Sequence, residues 1–391
     1  MSAQSAAVAT LGAPTVPSVA RLFTHPTLDT KSVHRYPVRF TGEGSAYSRI
    51  WIKTTLLTLL TLGLYGPWAQ TQRLQYIYSH IHIAEQPLAF TGQAKRMFRA
   101  YAMLGVWLMC FALARGAGGL TGAVAGLILL ALVPAFMHGA MRFKLAHTSW
   151  QGQPFQFNGK LWDAYKLAAT PIGILLAALA LSVTLAIMFS QGDARTAGAI
   201  AAIPMALCAY ALVPYIWWQV KHYQHQNFAF GALQTHFRAS PGSMAKVFVK
   251  SALVSGGSVM IAAGVFGVLV GLSLSSLPAG NATSTAHATG SLLPWLAVFA
   301  GVSQVVPFAF FTSRMQNLIW TNTGNQSIRF KSQLGFKAVL ALLFKNMALT
   351  ALTLGLYTPY AHMAWLRLRL EAITVHSRVL ASQLRDQTLA N

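Results

Sequence analysis

Acidic side chains are scarce in this chain. Only 7 of its 391 residues are Asp or Glu, against 29 Lys and Arg, which gives a formal net charge of +22. All seven acidic residues lie outside the long apolar runs, so no paired carboxylates are available within a membrane for a proton relay or for general acid and base catalysis. This absence disfavours carboxylate-coupled transport, although broken helices can also bind ions through bare carbonyl oxygens.

Cysteine is nearly absent as well, which argues against a disulfide or metal framework. Cys110 and Cys208 each lie alone in an apolar run and are interpreted as small core residues. Two histidine pairs have the spacing of metal ligands but no Cys or carboxylate neighbour. They are His80 with His82 and His222 with His225. No nucleophile elbow, Walker loop or cysteine nucleophile occurs. We therefore predict no catalytic residues, no metal, no cofactor and no enzymatic activity.

Long apolar runs dominate the rest of the chain. Hydrophobic residues make up 54% of the sequence and charged residues 9%, a composition typical of a polytopic membrane protein. The runs supply or extend segments near the roughly 20 residues that a helix needs to cross the hydrocarbon layer. They are Trp107 to Leu113, Leu120 to Met137, Ile172 to Phe189, Ala197 to Val213, Val247 to Leu277 and Leu292 to Phe311.

The positions of the cations predict a topology. Among the three turns between paired long helices, two contain a single arginine each, Arg115 and Arg195, and the third, at 275–291, contains no Lys or Arg. The positive-inside rule then places these turns outside and both termini in the cytoplasm of a bacterial inner membrane. A basic cytoplasmic face beside anionic lipid accounts for the net charge, so we expect no nucleic acid partner. The first 35 residues have no basic start and no continuous apolar core, which predicts a disordered tail and no cleaved secretory signal.

One phrase occurs twice. KTTLLTLLTLGLYGPWA at 53–69 returns as KNMALTALTLGLYTPYA at 345–361, with most positions identical, so the chain contains an internal repeat. The apolar part of each copy is too short to cross a membrane and has cations on both sides, which favours a shortened or re-entrant hairpin. We expect the first copy to turn from Gly63 to Pro67, with Pro67 starting the returning helix.

The spacing of proline and phenylalanine extends the repeat to the whole chain. A phenylalanine follows 23 residues after each of four prolines, and the stretches between them alternate around polar turns, which predicts a cytoplasmic β-hairpin after each returning helix. The pairs are Pro67 with Phe90, Pro134 with Phe157, Pro214 with Phe237 and Pro307 with Phe330. Five units result, at about 36–86, 87–153, 154–232, 233–326 and 327–378, between tails at 1–35 and 379–391. Because the end units of a repeat often close a ring, we expect the first and last units to be neighbours.

The predicted fold is thus an all-α polytopic membrane protein, with three full transmembrane hairpins flanked by two short ones and linked by short β-hairpins. The segments TLGLYGPWA at 61–69, TLGLYTPYA at 353–361 and GQPFQFNG at 152–159 resemble the YjgN family of bacterial inner-membrane proteins, over roughly residues 36–378. That resemblance implies a location and a fold. It carries over no catalytic or binding residues, because the family's function is unknown.

The threonines of the repeated phrase have two interpretations. Thr54, Thr58 and Thr61 share one helix face, either as a packing seam bonded to carbonyls one turn earlier or as the wall of a polar cavity at membrane depth. The candidate cavity and turn residues are Thr58, Thr61, Gly63, Tyr65, Pro67, Thr350, Thr353, Gly355, Tyr357 and Pro359.

Two functions stay open. The first is binding or transport of a small molecule or lipid in a cavity framed by the two TLGLY turns. The alternative is a non-catalytic scaffold that docks a cytoplasmic partner or anionic lipid through its basic cytoplasmic face, including a basic C-terminal helix that runs from Trp365 to Arg385.

Overall fold

The computed structural model describes residues 33–116, 118–190, 192–275, 294–295 and 298–380. Most of them are helical. The predicted turn at 275–291 and most of both predicted tails lie outside these ranges. The described helices are α1 (Gly44–Leu60), α2 (Gly66–Ser79), α3 (Ala94–Gly116), α4 (Gly119–Ala146), α5 (Leu161–Phe189), α6 (Ala194–Gln226), α7 (Pro241–Ser275), α8 (Val305–Thr321), α9 (Phe336–Leu352) and α10 (Thr358–Glu371).

Five consecutive helices, α3 to α7, are long and apolar enough to cross a membrane. Their lengths run from 23 to 35 residues, above the roughly 20 residues that a crossing needs. Residues 298–303, just before α8, are also helical. The sixth apolar run of the sequence, Leu292 to Phe311, therefore continues into α8 but lies partly outside the described residues.

The two copies of the repeated phrase form two short pairs of helices. α1 has 17 residues and α2 has 14, and the second copy reproduces these lengths in α9 and α10. The connecting turn occupies residues 61–65 and α2 begins at Gly66, so Pro67 is in the first turn of the helix rather than in the loop. The turn therefore comes slightly earlier than the predicted segment from Gly63 to Pro67.

Short strands follow each returning helix, and another precedes α1. They form two antiparallel sheets, in the orders β1-β12-β11-β10-β9 and β2-β3-β4-β5-β6-β7-β8. The strands are β1 (His34–Pro37), β2 (Arg39–Phe40), β3 (Ile81–Ile83), β4 (Gln86–Phe90), β5 (Thr148–Trp150), β6 (Gln153–Phe157), β7 (Phe228–Phe230), β8 (Leu233–Gln234), β9 (His236–Phe237), β10 (Thr323–Gly324), β11 (Ile328–Ser332) and β12 (Ile373–Ser377).

The two sheets join into one closed ring, which we call the β ring. β1 and β2 are one extended segment interrupted at Val38, whose backbone N–H donates to the Ile373 carbonyl oxygen at 3.1 Å. The same segment pairs with β12 through β1 and with β3 through β2. β8 and β9 are likewise split only at Thr235, and they pair with β7 and β10. The hairpins expected as separate units are thus linked edge to edge, which the sequence analysis did not predict.

The inside of the β ring is filled with apolar side chains. Residues from both sheets and from the ends of helices form a single cluster, with Phe40, Trp150 and Phe230 among its buried members. The indole Nε1–H of Trp150 donates to the Ile83 carbonyl oxygen at 3.2 Å, so its one polar group is satisfied inside this cluster. Small barrels are filled by side chains in this way. We call this buried cluster the plug of the β ring.

The helices form a second ring above the plug, which we call the helix ring. Each described helix packs against its neighbours in chain order, and α1 packs against α10. The contact between α1 and α10 that closes the helix ring matches the contact between α2 and α3. Trp68 of α2 lies on Phe98 of α3 with ring centroids 5.5 Å apart. Tyr360, which has the position of Trp68 in the second copy, has its hydroxyl oxygen 3.5 Å from Ser48 Oγ of α1. Together with the β1–β12 pairing, this makes the first and last units neighbours, as the repeat predicts.

The F-x-G motif at the strand ends has a steric explanation. The Phe90 ring lies over Gly92, where an added Cβ would come 2.4 Å from the ring, and Phe40 lies over Gly42 in the same way. In the unit at 233–326 Ala239 replaces the glycine of the motif, and the Phe237 ring instead packs against His225, with centroids 5.7 Å apart. The departure of this unit from the motif therefore changes where the phenylalanine packs while keeping its strand.

The predicted basic helix from Trp365 to Arg385 is wrong. α10 ends at Glu371, and residues Ile373–Ser377 form strand β12 in the β ring. The alternation of leucine and arginine before Glu371 obscured the β-branched sequence ITVHS that follows it, which is typical of a strand. Arg385 lies outside the described residues.

Candidate functional site

Each TLGLY turn is a helix C-cap of the Schellman type. The N–H of Gly63 donates to the Thr58 carbonyl oxygen at 2.7 Å, and that of Leu62 donates to Leu59 at 3.1 Å. Gly63 has φ of 91° and Leu62 has φ of 49°, so a leucine occupies the left-handed position that glycine normally takes. The second copy matches, with Leu354 at φ of 50°. Both leucines are 95% exposed.

The threonine hydroxyls of the turns bond to the backbone of their own helices. Thr58 Oγ1 donates to the Thr54 carbonyl oxygen at 2.6 Å, and Thr61 Oγ1 donates to Leu57 at 2.7 Å. Thr61 Oγ1 also accepts from the Tyr65 N–H at 3.0 Å. Thr353 makes the same two contacts in the second copy. This geometry agrees with the packing interpretation, since these hydroxyls stiffen the turn.

The tyrosines and prolines of the site surround the start of each returning helix. Tyr65 stacks on Trp68 with centroids 6.1 Å apart, and Tyr357 stacks on Tyr360 at 5.7 Å. The prolines Pro67 and Pro359 are among the most completely buried side chains of the chain. Thr350 accepts from the Gly355 N–H through its carbonyl oxygen at 2.8 Å. Each predicted site residue thus belongs to one of two matching turns.

Only the first copy contains an arginine clamp. The Arg73 guanidinium on α2 donates to Thr54 Oγ1 at 2.9 Å and to Thr55 Oγ1 at 2.9 Å. Thr54 is fully buried, and a charge-assisted bond to it holds α2 against α1. In the second copy Asn346 replaces Thr54 and Trp365 replaces Arg73. The Asn346 amide nitrogen donates instead to the Ala361 carbonyl oxygen at 3.3 Å.

Three cations on helices that are not neighbours in the helix ring are linked electrostatically through Lys221. Lys221 of α6 experiences the positive charges of Arg369 of α10 and Lys144 of α4. In the ring α4 packs between α3 and α5, α6 between α5 and α7, and α10 between α9 and α1. Charges on such separated helices come close only across the space that the ring encloses. We call Lys144, Lys221 and Arg369 the interior cations.

Aromatic rings and amide groups hold the interior cations in place. Lys221 Nζ lies 5.9 Å from the Trp217 ring centroid, and the Arg369 guanidinium carbon lies 5.5 Å from that of Trp365. Arg369 Nε donates to Gln316 Oε1 at 2.6 Å, and Gln316 Nε2 donates back to the Arg369 carbonyl oxygen at 2.8 Å. Gln316 is 4% exposed, so this pair is an organised buried contact.

No carboxylate neutralises the interior cations within the described part of the chain. The ion pairs there join Arg39 to Glu85 at 3.1 Å and Lys166 to Asp163 at 3.9 Å. The last turn of a helix favours a cation by about 0.3 to 1 kcal/mol, which explains Lys144 and Arg369. It does not explain Lys221, which lies before the last turn of its helix and is repelled by the other two cations. The arrangement suits an anion.

One histidine of each pair has a close polar partner, whereas Nδ1 of His222 is buried without one. His80 Nδ1 lies 2.7 Å from the Tyr76 carbonyl oxygen, and His225 Nδ1 lies 3.2 Å from Thr323 Oγ1. Among the residues that the structure describes, no three His, Cys, Asp or Glu side chains are grouped as metal ligands would be.

Apart from Arg115 and Arg195 in the turns, the cations were predicted to form one basic cytoplasmic face, and the interior cations were not predicted. A signal was present in two returning helices, where a tryptophan precedes the cation by four residues, as Trp217 precedes Lys221 and Trp365 precedes Arg369. Residues at this spacing share a helix face. The pattern could not show that the two faces meet across a ring.

The chain resembles one known protein family and two named bacterial proteins. A family described as "Bacterial protein of unknown function (DUF898)" matches residues 35–390. The chain belongs to this family. It is 28% identical over 153 residues to the inner membrane protein YjgN of Salmonella typhimurium, an alignment that covers 38% of each chain. It is also 28% identical over 120 residues to the inner membrane protein YjgN of Escherichia coli strain K12, over 30% of each chain.

These alignments span well under half the length of the relatives. They agree with the YjgN resemblance and with a membrane protein, since the relatives are named inner membrane proteins and five described helices could cross a membrane. No solved structure matches the chain.

Proposed function

We propose that the protein resides in the bacterial inner membrane and binds an anionic small molecule or a lipid headgroup inside the helix ring. The convergence of Lys144, Lys221 and Arg369 without a carboxylate carries this proposal. The apolar plug below the cations supports binding over free permeation, because it fills the centre of the β ring. The two TLGLY turns would frame the entrance on the side away from the β ring. The cavity is then the one predicted from the repeated phrase, and the interior cations add that its ligand is anionic.

The experiment is native mass spectrometry of the purified full-length protein. Lys221→Gln removes one interior charge and leaves a polar side chain of similar length. Lys166→Gln is the matched control, because Lys166 is exposed and paired with Asp163. We expect a stoichiometric anionic ligand in the wild type and in Lys166→Gln, and its loss in Lys221→Gln. Equal occupancy in all three proteins would overturn the proposal.

The proposed orientation places the β ring and both termini in the cytoplasm. The cation distribution supports it through the positive-inside rule. Glu85 lies in the turn between β3 and β4, and Asp193 lies at the start of α6 in the turn that follows α5. A Glu85→Cys variant should react with an impermeant thiol reagent only from the cytoplasmic side, and Asp193→Cys only from the outside. The reverse labelling would refute this orientation.

A second candidate function is docking of an anionic partner on the cytoplasmic face. It is favoured by the outer surface of the β ring, where several cations lie in register without acidic partners. This surface is separate from the interior of the helix ring, so both functions are compatible with one structure.

A further inference from the structure

Three basic side chains lie side by side on the outer surface of the β ring. The strand registers place Arg35 of β1 opposite His376 of β12, and His376 opposite Arg329 of β11. Lys331 of β11 lies one step further along the same face, opposite Thr374. Alternate residues of a strand point to opposite faces, and the intervening residues of β12, such as Val375, are buried in the plug. The basic side chains therefore point outward together.

This row is electrostatically unfavourable by itself. A protonated His376 would lie directly opposite Arg35 and Arg329, and like charges in such positions destabilise a sheet. Burial and the charges of Arg35 and Lys331 accordingly lower the pKa of His376 below its usual range. In the described part of the chain none of these cations pairs with a carboxylate, in contrast to Arg39 on the adjoining strand, which bonds to Glu85. Within the described residues, no carboxylate therefore neutralises the positive charge of the row.

Protection of a sheet edge does not explain the row. Proteins place Lys and Arg on edge strands to prevent pairing with other chains. β12 has β1 on one side and β11 on the other, and β11 also pairs with β10. These strands are interior members of a closed ring, where no edge needs protection.

A cleft of about 380 Å³ lies beside the row. Arg329, Lys331, His376 and Arg378 line it, together with the polar residues Gln326 and Ser327 of the loop before β11. No acidic side chain belongs to its lining. A volume of this order accommodates a small ligand. The two guanidinium groups and the imidazole can donate hydrogen bonds to phosphate oxygens.

We propose that this cleft binds a phosphate group through Arg329, Arg378 and His376. The phosphate belongs either to the headgroup of an anionic phospholipid or to a free phosphate compound. The site is independent of the interior cations, because it lies on the outer surface of the β ring. Bound phosphate would offset the repulsion within the row and raise the pKa of His376.

The test uses the full-length protein and two probes. Inorganic pyrophosphate is titrated by calorimetry into protein held in nanodiscs of neutral phosphatidylcholine. Phosphatidylglycerol is titrated by native mass spectrometry into detergent-purified protein, with phosphatidylcholine as the neutral comparison. The double variant Arg329→Gln with Arg378→Gln removes both guanidinium groups of the cleft, and Arg39→Gln is the matched control because its partner is Glu85.

We expect saturable binding of at least one probe, weakened about tenfold or more by the double variant and changed less than about twofold by Arg39→Gln. Binding of pyrophosphate alone identifies a soluble phosphate ligand, and binding of phosphatidylglycerol alone identifies a lipid. Absence of saturable binding for both probes, or equal affinity in the double variant, would overturn the proposal. A Lys221→Gln protein should bind as the wild type does, which separates this site from the interior one.

Discussion

Gly324 is the position where a single added methyl group should do the most damage to the β ring. It lies in β10, which pairs with His236 on one side and with Arg329 on the other. Its φ is +151°, and a Cβ built there would lie 2.6 Å from the Ile328 carbonyl oxygen and 2.9 Å from the Arg329 Cα. Both are backbone atoms of β11, so neither can move aside without breaking the strand pairing.

The expected cost of Gly324→Ala follows from these two effects. A backbone conformation that only glycine adopts easily costs about 1 to 3 kcal/mol for another residue, and forcing a methyl group into occupied space costs about 1 to 3 kcal/mol more. The sum is about 2 to 6 kcal/mol, a large part of the stability of a typical domain. Because β10 connects β9 to β11, the loss should open the ring at this point.

Thermal unfolding of the purified variant, followed by tryptophan fluorescence in one detergent, measures this loss. Gly139→Ala is the control, because Gly139 lies within α4 and an added Cβ meets nothing within 4 Å. Alanine there should stabilise the helix by about 1 kcal/mol. The two glycine replacements are therefore expected to move the midpoint in opposite directions. A Gly324→Ala protein as stable as the wild type would refute the assigned β10–β11 geometry.

Three further measurements test other contacts. Gln316→Ala should lower the unfolding midpoint by the equivalent of about 2 to 3 kcal/mol, because it leaves Arg369 buried without its hydrogen-bond partner; an unchanged midpoint would contradict that pairing. Leu62→Gly or Leu354→Gly should each stabilise the protein by about 1 kcal/mol, since a left-handed φ is unfavourable for leucine; destabilisation would show that the exposed side chains contribute more than the strain. Burial and two nearby cations lower the pKa of His376. The stability that this shift contributes is therefore present above pH 6.5 and is lost on acidification through the lowered pKa. A His376→Gln protein should lose stability less steeply in that range, and identical pH profiles of the two proteins would refute this role.

The repeated phrase predicts local structure well because turn chemistry is local. Gly63 with its positive φ and Pro67 in the first turn of α2 follow from sequence neighbours alone. The leucine in the left-handed position was not predictable, since glycine is the usual residue there. The turn predicted from Gly63 to Pro67 begins two residues later than the observed turn at 61–65. The residue types of the phrase predict that a turn forms here, whereas the hydrogen bonds at the end of α1 determine at which residue the turn begins.

Closure of the β ring depends on contacts that no local pattern contains. β4 pairs with β5 and β6 pairs with β7, and each of these pairs joins residues separated by a complete helical hairpin. A short alternating segment shows that a strand exists but does not identify its second partner. The neighbourhood of the first and last units was predictable because repeated units that stack in order bring their ends together only by closing a ring.

The interior cations were missed for a related reason. The positive-inside rule counts cations near helix ends and does not distinguish the sides of a helix. Lys221 and Arg369 occupy the last two turns of their helices, where a basic residue normally indicates the membrane surface. Only the order of helices in the ring shows that these side chains approach one another. Charge location was predictable, whereas charge convergence required the tertiary structure.

Ring closure also gives meaning to the short hairpins. A 14-residue helix is about 21 Å long, less than the roughly 30 Å of bilayer hydrocarbon, whereas the 28 residues of α4 extend about 42 Å. The sequence separates the short hairpins by nearly its whole length, but the α1–α10 contact makes them adjacent. The short helices of the two hairpins therefore form one continuous sector on one side of the helix ring, where the wall of the ring is lower than elsewhere. Its rim carries the exposed leucines Leu62 and Leu354, which suit contact with lipid chains. In the proposed orientation, an amphipathic ligand could keep its chains in the bilayer at this sector while its anionic group reached the interior cations.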